Sequence, residues 1–252
     1  MQSKINFLNI FSSAFDELSN KKLKYIFAKI FFLTSLVLGI IIYFIFTFVY
    51  QGLQELLSPE NYENTFILWM LKFNIIIYFF IIFQFFFLWF FLVIIMIPIS
   101  ALISGLFAEK ILDTISENNN YKNKEKRKKN AFLISFLYST KSSIKAIFVN
   151  ILIIPFYFLL PFANIIIFVL VNSYFVGREF MGNILSQYFD EKRINEFYML
   201  NSREVNLIGC FITILFLIPV VNIAAGFLGY VISSKFFLQN RIKKLNKIKN
   251  FN

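Results

Sequence analysis

Histidine is absent from this chain and cysteine occurs once, as Cys210. These absences exclude a histidine or cysteine metal site, Ser/His or Cys/His nucleophilic catalysis and a disulfide framework, because each needs groups that are not there. Cys210 lies in an apolar stretch, where a lone thiol packs as a small hydrophobe. Charge is missing over long distances. Ile30 to Gln54, Phe73 to Ala108, Ala146 to Gly177 and Val205 to Ser234 contain no Asp, Glu, Lys, Arg or His, and together they make up almost half of the 252 residues. A helix needs about 20 apolar residues to cross a hydrocarbon core about 30 Å thick, so each run can enter a bilayer. With 58% hydrophobic residues and 37 Phe, the composition lies far above that of a soluble domain. The chain is expected to be an all-α integral membrane protein.

What is present then sets the topology. Lys24 and Lys29 flank the first run, Asp16 and Glu17 precede it, and no small-residue cleavage pattern follows, so it reads as a permanent anchor. Net charge is +3 before that run, −2 over 55–72, +5 over 109–145, −1 over 178–204 and +6 over 235–252. The positive-inside bias predicts cytoplasmic N- and C-termini, a cytoplasmic 109–145 segment and an outward loop carrying Glu55, Glu60 and Glu63. The first two runs form a transmembrane hairpin, with spans at 26–50 and 70–99. The second run is too long for a span alone, about 54 Å as a helix, and its end is predicted to continue as an amphipathic stem to about 116. The basic cluster Lys122, Lys124, Lys126, Arg127, Lys128 and Lys129 follows Asn118, Asn119 and Asn120 and reads as a solvated loop near anionic lipid, within a 117–145 loop and helix start. It carries no nucleic-acid motif.

The few prolines and glycines fall in telling places. Pro155 and Pro161 interrupt the third run; Gly209, Pro219, Asn222, Gly226 and Gly229 lie in the fourth. A proline removes a backbone donor and clashes one turn back, so each run is predicted to be two short helices with a break, over 146–176 and 205–238. Each half is about 22 Å long and cannot cross alone. Each run is then either a kinked span or a re-entrant hairpin, and the charge of −1 over 178–204 is compatible with both. Backbone groups freed at such breaks can hold an ion, the helix N-termini an anion. Coupled carriers often bury an acid at depth, and the runs hold none, so a passive or channel-like route is expected. Between the broken runs, residues 177–204 are predicted to form an interfacial helical segment in which Arg178 and Glu179 anchor helix ends. The residues 239–252 form a basic tail. Asp190 and Glu191 are adjacent on a helix, do not face one another, and do not constitute an acid–base pair. No enzyme, metal or cofactor site is expected, and 1–252 reads as a single membrane domain.

The basic Leu-Lys before the first span, Leu106-Phe107-Ala108-Glu109-Lys110, Tyr174-Phe175-Val176-Gly177-Arg178-Glu179-Phe180 and Ile218-Pro219-Val220-Val221-Asn222 resemble, in that order, the CysZ-type sulfate permeases and the wider etoposide-induced protein 2.4 family. The resemblance covers nearly the whole chain. It implies two long transmembrane helices plus two Pro-broken re-entrant hairpins, a homo-oligomer in the bacterial inner membrane, and uptake of sulfate or a related oxyanion for cysteine synthesis. In CysZ-like proteins a Gly-Leu-Arg stretch holds the anion; the matching stretch is Lys22-Leu23-Lys24, which keeps charge but loses flexible backbone and bidentate geometry. The implied site is Lys21, Lys22, Leu23 and Lys24, with Pro155, Pro161, Gly177, Arg178, Glu179, Pro219 and Asn222 along the pathway. The alternative function is a non-transporting protein that shapes the bilayer or scaffolds envelope partners.

Overall fold

The computed structural model describes residues 7–57, 78–79, 81–85, 99–119, 121, 127–159, 163–218 and 221–249. Among them the regular elements are helical: α1 (Phe7–Glu17), α2 (Lys21–Leu57), α3 (Ala108–Asn118), α4 (Ala131–Leu159), α5 (Asn164–Ser186), α6 (Glu191–Leu200), α7 (Ser202–Leu217) and α8 (Val221–Lys249). Short helical pieces at 78–79, 81–85 and 99–106 belong to the second run. Among the described residues four helices are long and apolar enough to cross a membrane, within α2, α4, α5 and α8.

α8 is the axis of the fold. It packs on α1, α2, α3, α5 and α7, and 78% of its apolar window is buried, against 17% for α2. The difference follows from side-chain distribution. Phe227, Tyr230, Val231, Phe236 and Phe237 point in several directions around α8 and are all buried. α2 buries one stripe, Leu23, Ile26, Ile30, Thr34 and Leu38, at helical spacing, and leaves Phe32, Tyr43, Phe44 and Phe48 exposed. Those outward aromatics suit lipid, where exposing them costs nothing. Gln84 donates to the Val49 carbonyl at 3.2 Å, which sets the described piece 81–85 beside α2.

Both broken runs are two helices joined by a break. In the third, α4 and α5 run antiparallel, a register read from the pairs Ser135 with Asn183, Ser139 with Glu179 and Asn150 with Asn172. Pro155 does not make the break: it sits inside α4, exposed, and the helix continues to Leu159. Proline there forfeits its own bond to the Ile151 carbonyl and crowds that turn, a local loss that helices in membranes accommodate without ending. α4 ends at Leu159 and α5 begins at Asn164; Pro161, Pro219 and Pro98 lie outside the described residues. In the fourth run α7 stops at Leu217 and α8 begins at Val221.

α5 and α7 make the closest helix contact. A Cβ on Gly177 would overlap the Val205 carbonyl, and one on Gly209 the Ser173 carbonyl. The absence of side chains at both positions lets the two backbones touch, the arrangement expected of small residues in membrane helix pairs. α6 meets α7 at 88° and buries only Ile194 and Tyr198 on one side. Phe180 and Ile184, read in the sequence as part of the interfacial segment, are on α5 and fully buried, since α5 runs on to Ser186.

Candidate functional site

The α2 N-terminus is built from the turn that precedes it. The N–H groups of Leu18, Ser19 and Asn20 bond back to the carbonyls of Phe15, Asp16 and Glu17, ending α1. Asn20 then caps α2, its Oδ1 accepting from the Lys22 N–H at 2.8 Å. Leu23 is fully buried and pins this end, while Lys21, Lys22 and Lys24 are exposed around it. A positive helix end ringed by three lysines is an anion-attracting surface. Lys22 Nζ is engaged with Glu117 Oε2 at 2.9 Å, at the C-terminal end of α3.

Below this surface lies a charged cluster that sequence reasoning missed. Glu17 and Lys235 form an ion pair in which both side chains are almost wholly buried. Asn118 and Asn119 donate to the Glu17 carboxylate at 2.8 and 2.6 Å, and Lys235 Nζ donates to Asn119 Oδ1 at 2.9 Å. Three consecutive residues, Glu117, Asn118 and Asn119, thereby tie α3 to α1, α2 and α8. Burial alone would raise the Glu17 pKa. The hydrogen bonds from Asn119, Lys235 and Asn118, with the Lys235 charge, outweigh it and hold the carboxyl below its ordinary 4.5. Asn118 and Asn119 are therefore not part of a solvated loop. A signal was present: Ile10, Ala14 and Glu17 share one face of α1, so Glu17 points where that helix buries its apolar stripe.

Arg127 and Lys128 also depart from the solvated reading. Arg127 bonds Glu109 at 2.5 Å, Asp113 at 2.7 and 3.1 Å and the Tyr188 hydroxyl at 3.1 Å. Lys128 donates to the Phe189 carbonyl at 2.7 Å. The acids on α3, one turn apart, turn what looked like free positive charge into a structural clasp. Lys129 remains exposed; Asn120, Lys122, Lys124 and Lys126 lie outside the described residues.

The Gly177-Arg178-Glu179 junction divides its roles. Gly177 carries the α5–α7 contact described above. Glu179 is buried and accepts from Ser139 Oγ at 2.9 Å, so it is a core group and not an interfacial anchor. It also lies within a candidate span, Asn164–Ser186, two residues beyond the end of the uncharged run at Gly177. The premise that the membrane segments hold no carboxylate is thus corrected: the helix continues past the run and carries Glu179 into the packed interior. Arg178 turns the other way, and its guanidinium lies 4.1 Å from the Tyr174 ring centroid and 4.9 Å from that of Tyr198. Asn222 is buried at the start of α8, where Ser100 Oγ donates to its carbonyl at 3.3 Å. A Cβ on Gly226, one turn on, would stand 2.6 Å from Ser104 Oγ and 2.7 Å from the Ser100 carbonyl.

The structure thus brings Lys21–Lys24 together with α3 and α1, and Gly177 and Glu179 together with α4 and α7, but joins neither group to Pro155. Among the described residues no group of three or more Cys, Asp or Glu side chains could hold a metal ion. These features define a multi-pass, all-helical membrane protein with a cationic helix end on one surface and two interrupted helical hairpins. The family model for Sulfate transporter CysZ/Etoposide-induced protein 2.4 matches residues 10–225, and the chain belongs to that family. No curated protein and no solved structure matches it.

Proposed function

We propose that this protein is an oxyanion permease of the bacterial inner membrane that takes up sulfate for sulfur assimilation. The observation that carries the proposal is membership of a sulfate transporter family over residues 10–225. The exposed lysines at the capped start of α2 support it, because they concentrate an anion without burying a charge. In this reading Lys21, Lys22 and Lys24 attract the anion, and the helix ends at the two breaks line a channel-like route. The broken hairpins are re-entrant, the termini are cytoplasmic, and protomers associate as a homo-oligomer. Glu179, engaged with Ser139, is not used by the route.

Uptake of labelled sulfate into proteoliposomes tests this directly. Wild type is expected to exceed empty vesicles, and Lys22→Gln/Lys24→Gln to lower apparent affinity by about 3- to 10-fold, as loss of two attracting charges implies. Uptake equal to that of empty vesicles would refute the permease and favour a scaffold. Uptake that vanishes when a pH gradient is collapsed would refute the passive route.

A further inference from the structure

We infer that Arg178 is a second oxyanion site, for a tetrahedral anion that is either dissolved sulfate or the phosphate of a lipid headgroup. The inference deepens the permease reading but rests on its own geometry. The two rings that hold this guanidinium come from different elements: Tyr174 lies one turn back on α5 and Tyr198 on α6. Tyr198 is itself fixed, its hydroxyl donating to the Arg178 carbonyl at 2.8 Å and lying 3.1 Å from the Tyr138 hydroxyl of α4. Aromatic faces orient a guanidinium without occupying its N–H donors.

Among the described residues no ion pair or side-chain hydrogen bond engages the Arg178 guanidinium. Arg127 is the contrast, for its fork is spent on Glu109 and Asp113. Among the described residues Arg193 and Arg203 also have no carboxylate partner, but they are exposed and no ring lies against them. The acid adjacent to Arg178 is withdrawn, since Glu179 turns inward to Ser139. Glu191, on the first turn of α6, is the other acid whose field reaches this cluster, together with Glu179, at Tyr138. An ordered, half-buried guanidinium with unused donors presents the planar fork that sulfate and phosphate esters accept in bidentate fashion, the geometry that Lys22-Leu23-Lys24 does not have.

The test uses the full chain in nanodiscs, with labelled sulfate as one probe and phosphatidylglycerol retention through delipidation, read by native mass spectrometry, as the other. In zwitterionic lipid, Arg178→Gln and Arg178→Lys are expected to weaken sulfate binding about 10-fold while thermal midpoints hold, because Lys keeps the charge but not the fork. Glu191→Gln is expected to strengthen it about 2-fold by removing a like charge. Unchanged sulfate binding with phosphatidylglycerol retention lost in both Arg178 variants assigns the site to lipid phosphate. If Arg178→Gln fails to fold, Tyr174→Leu, which removes one exposed ring, is expected to weaken whichever probe the site binds. Both probes unchanged in the Arg178 variants, or in Tyr174→Leu where it replaces them, overturns the inference. Sulfate flux that depends on Lys22 and Lys24, with both probes unchanged in the Arg178 variants, would sink it while leaving the permease reading intact; Arg178-dependent binding of either probe without flux would do the reverse.

Discussion

Removing Lys235 strands the Glu17 carboxylate with Asn118 and Asn119 as its remaining partners, and removing the Glu17 charge strands the Lys235 ammonium with Asn119. Glu17→Gln and Lys235→Met are each expected to cost about 3–5 kcal/mol, and the double variant less than their sum. Thermal unfolding of the four proteins in one detergent measures this, and strictly additive losses would show that the two charges are not coupled. The same pair sets an acid limit. Because the folded Glu17 value lies below the ordinary 4.5, its contribution is fully present above 4.5 and is lost as pH falls through the folded value. Wild type should therefore lose more stability than Glu17→Gln as pH falls below about 4.5. Equal pH slopes would contradict the assignment. This residue-scale network was only half legible in the sequence: spacing turns Glu17 inward, but no pattern says that Asn118, Asn119 and Lys235, about a hundred and two hundred residues away, meet it.

At the scale of elements, the α5–α7 contact depends on two positions without side chains. Gly177→Val and Gly209→Leu are each expected to wedge the helices apart and cost about 1–3 kcal/mol or more, since the obstructing atoms are backbone carbonyls that cannot rotate away. Gly39→Ala is the control, for nothing lies within 4 Å of a Cβ there, and it should leave the thermal midpoint near wild type or slightly raised. Equal effects at all three positions would reject close backbone packing as the cause. The breaks themselves were readable from the interrupted apolar runs, but their placement was not read from proline alone. Pro155 is carried within α4, and the helix continues past it to Leu159. Helix continuity also moved Glu179: the uncharged run ended at Gly177, while α5 runs to Ser186.

For the whole molecule, the arrangement proposed for the two hairpins has a direct topological readout. In a Cys210→Ser background, Lys21→Cys and Glu196→Cys, both at exposed positions, report the sides of the α2 start and of α6. Re-entrant hairpins require both to react with an impermeant thiol reagent from the cytoplasmic side. Labelling of position 196 from the opposite side would make each run a kinked span. The 88° turn from α6 into α7 suits a helix that lies along an interface before the chain enters the hairpin, as partial insertion requires.

The sequence by itself determined that the chain lives in a membrane as a helical protein, where the runs lie, that two of them are interrupted, and which families of chemistry are closed to it. Those properties follow from local composition, because apolar length and backbone satisfaction in lipid depend on neighbours along the chain. Only the tertiary structure decided which charges are surface and which are core. Arg127 became a clasp, Arg178 an oriented guanidinium and Glu179 a buried acceptor through contacts with α3, α6 and α4. A charged side chain's role is set by what lies within a few ångströms of it, and for these residues the partners are brought there by other helices.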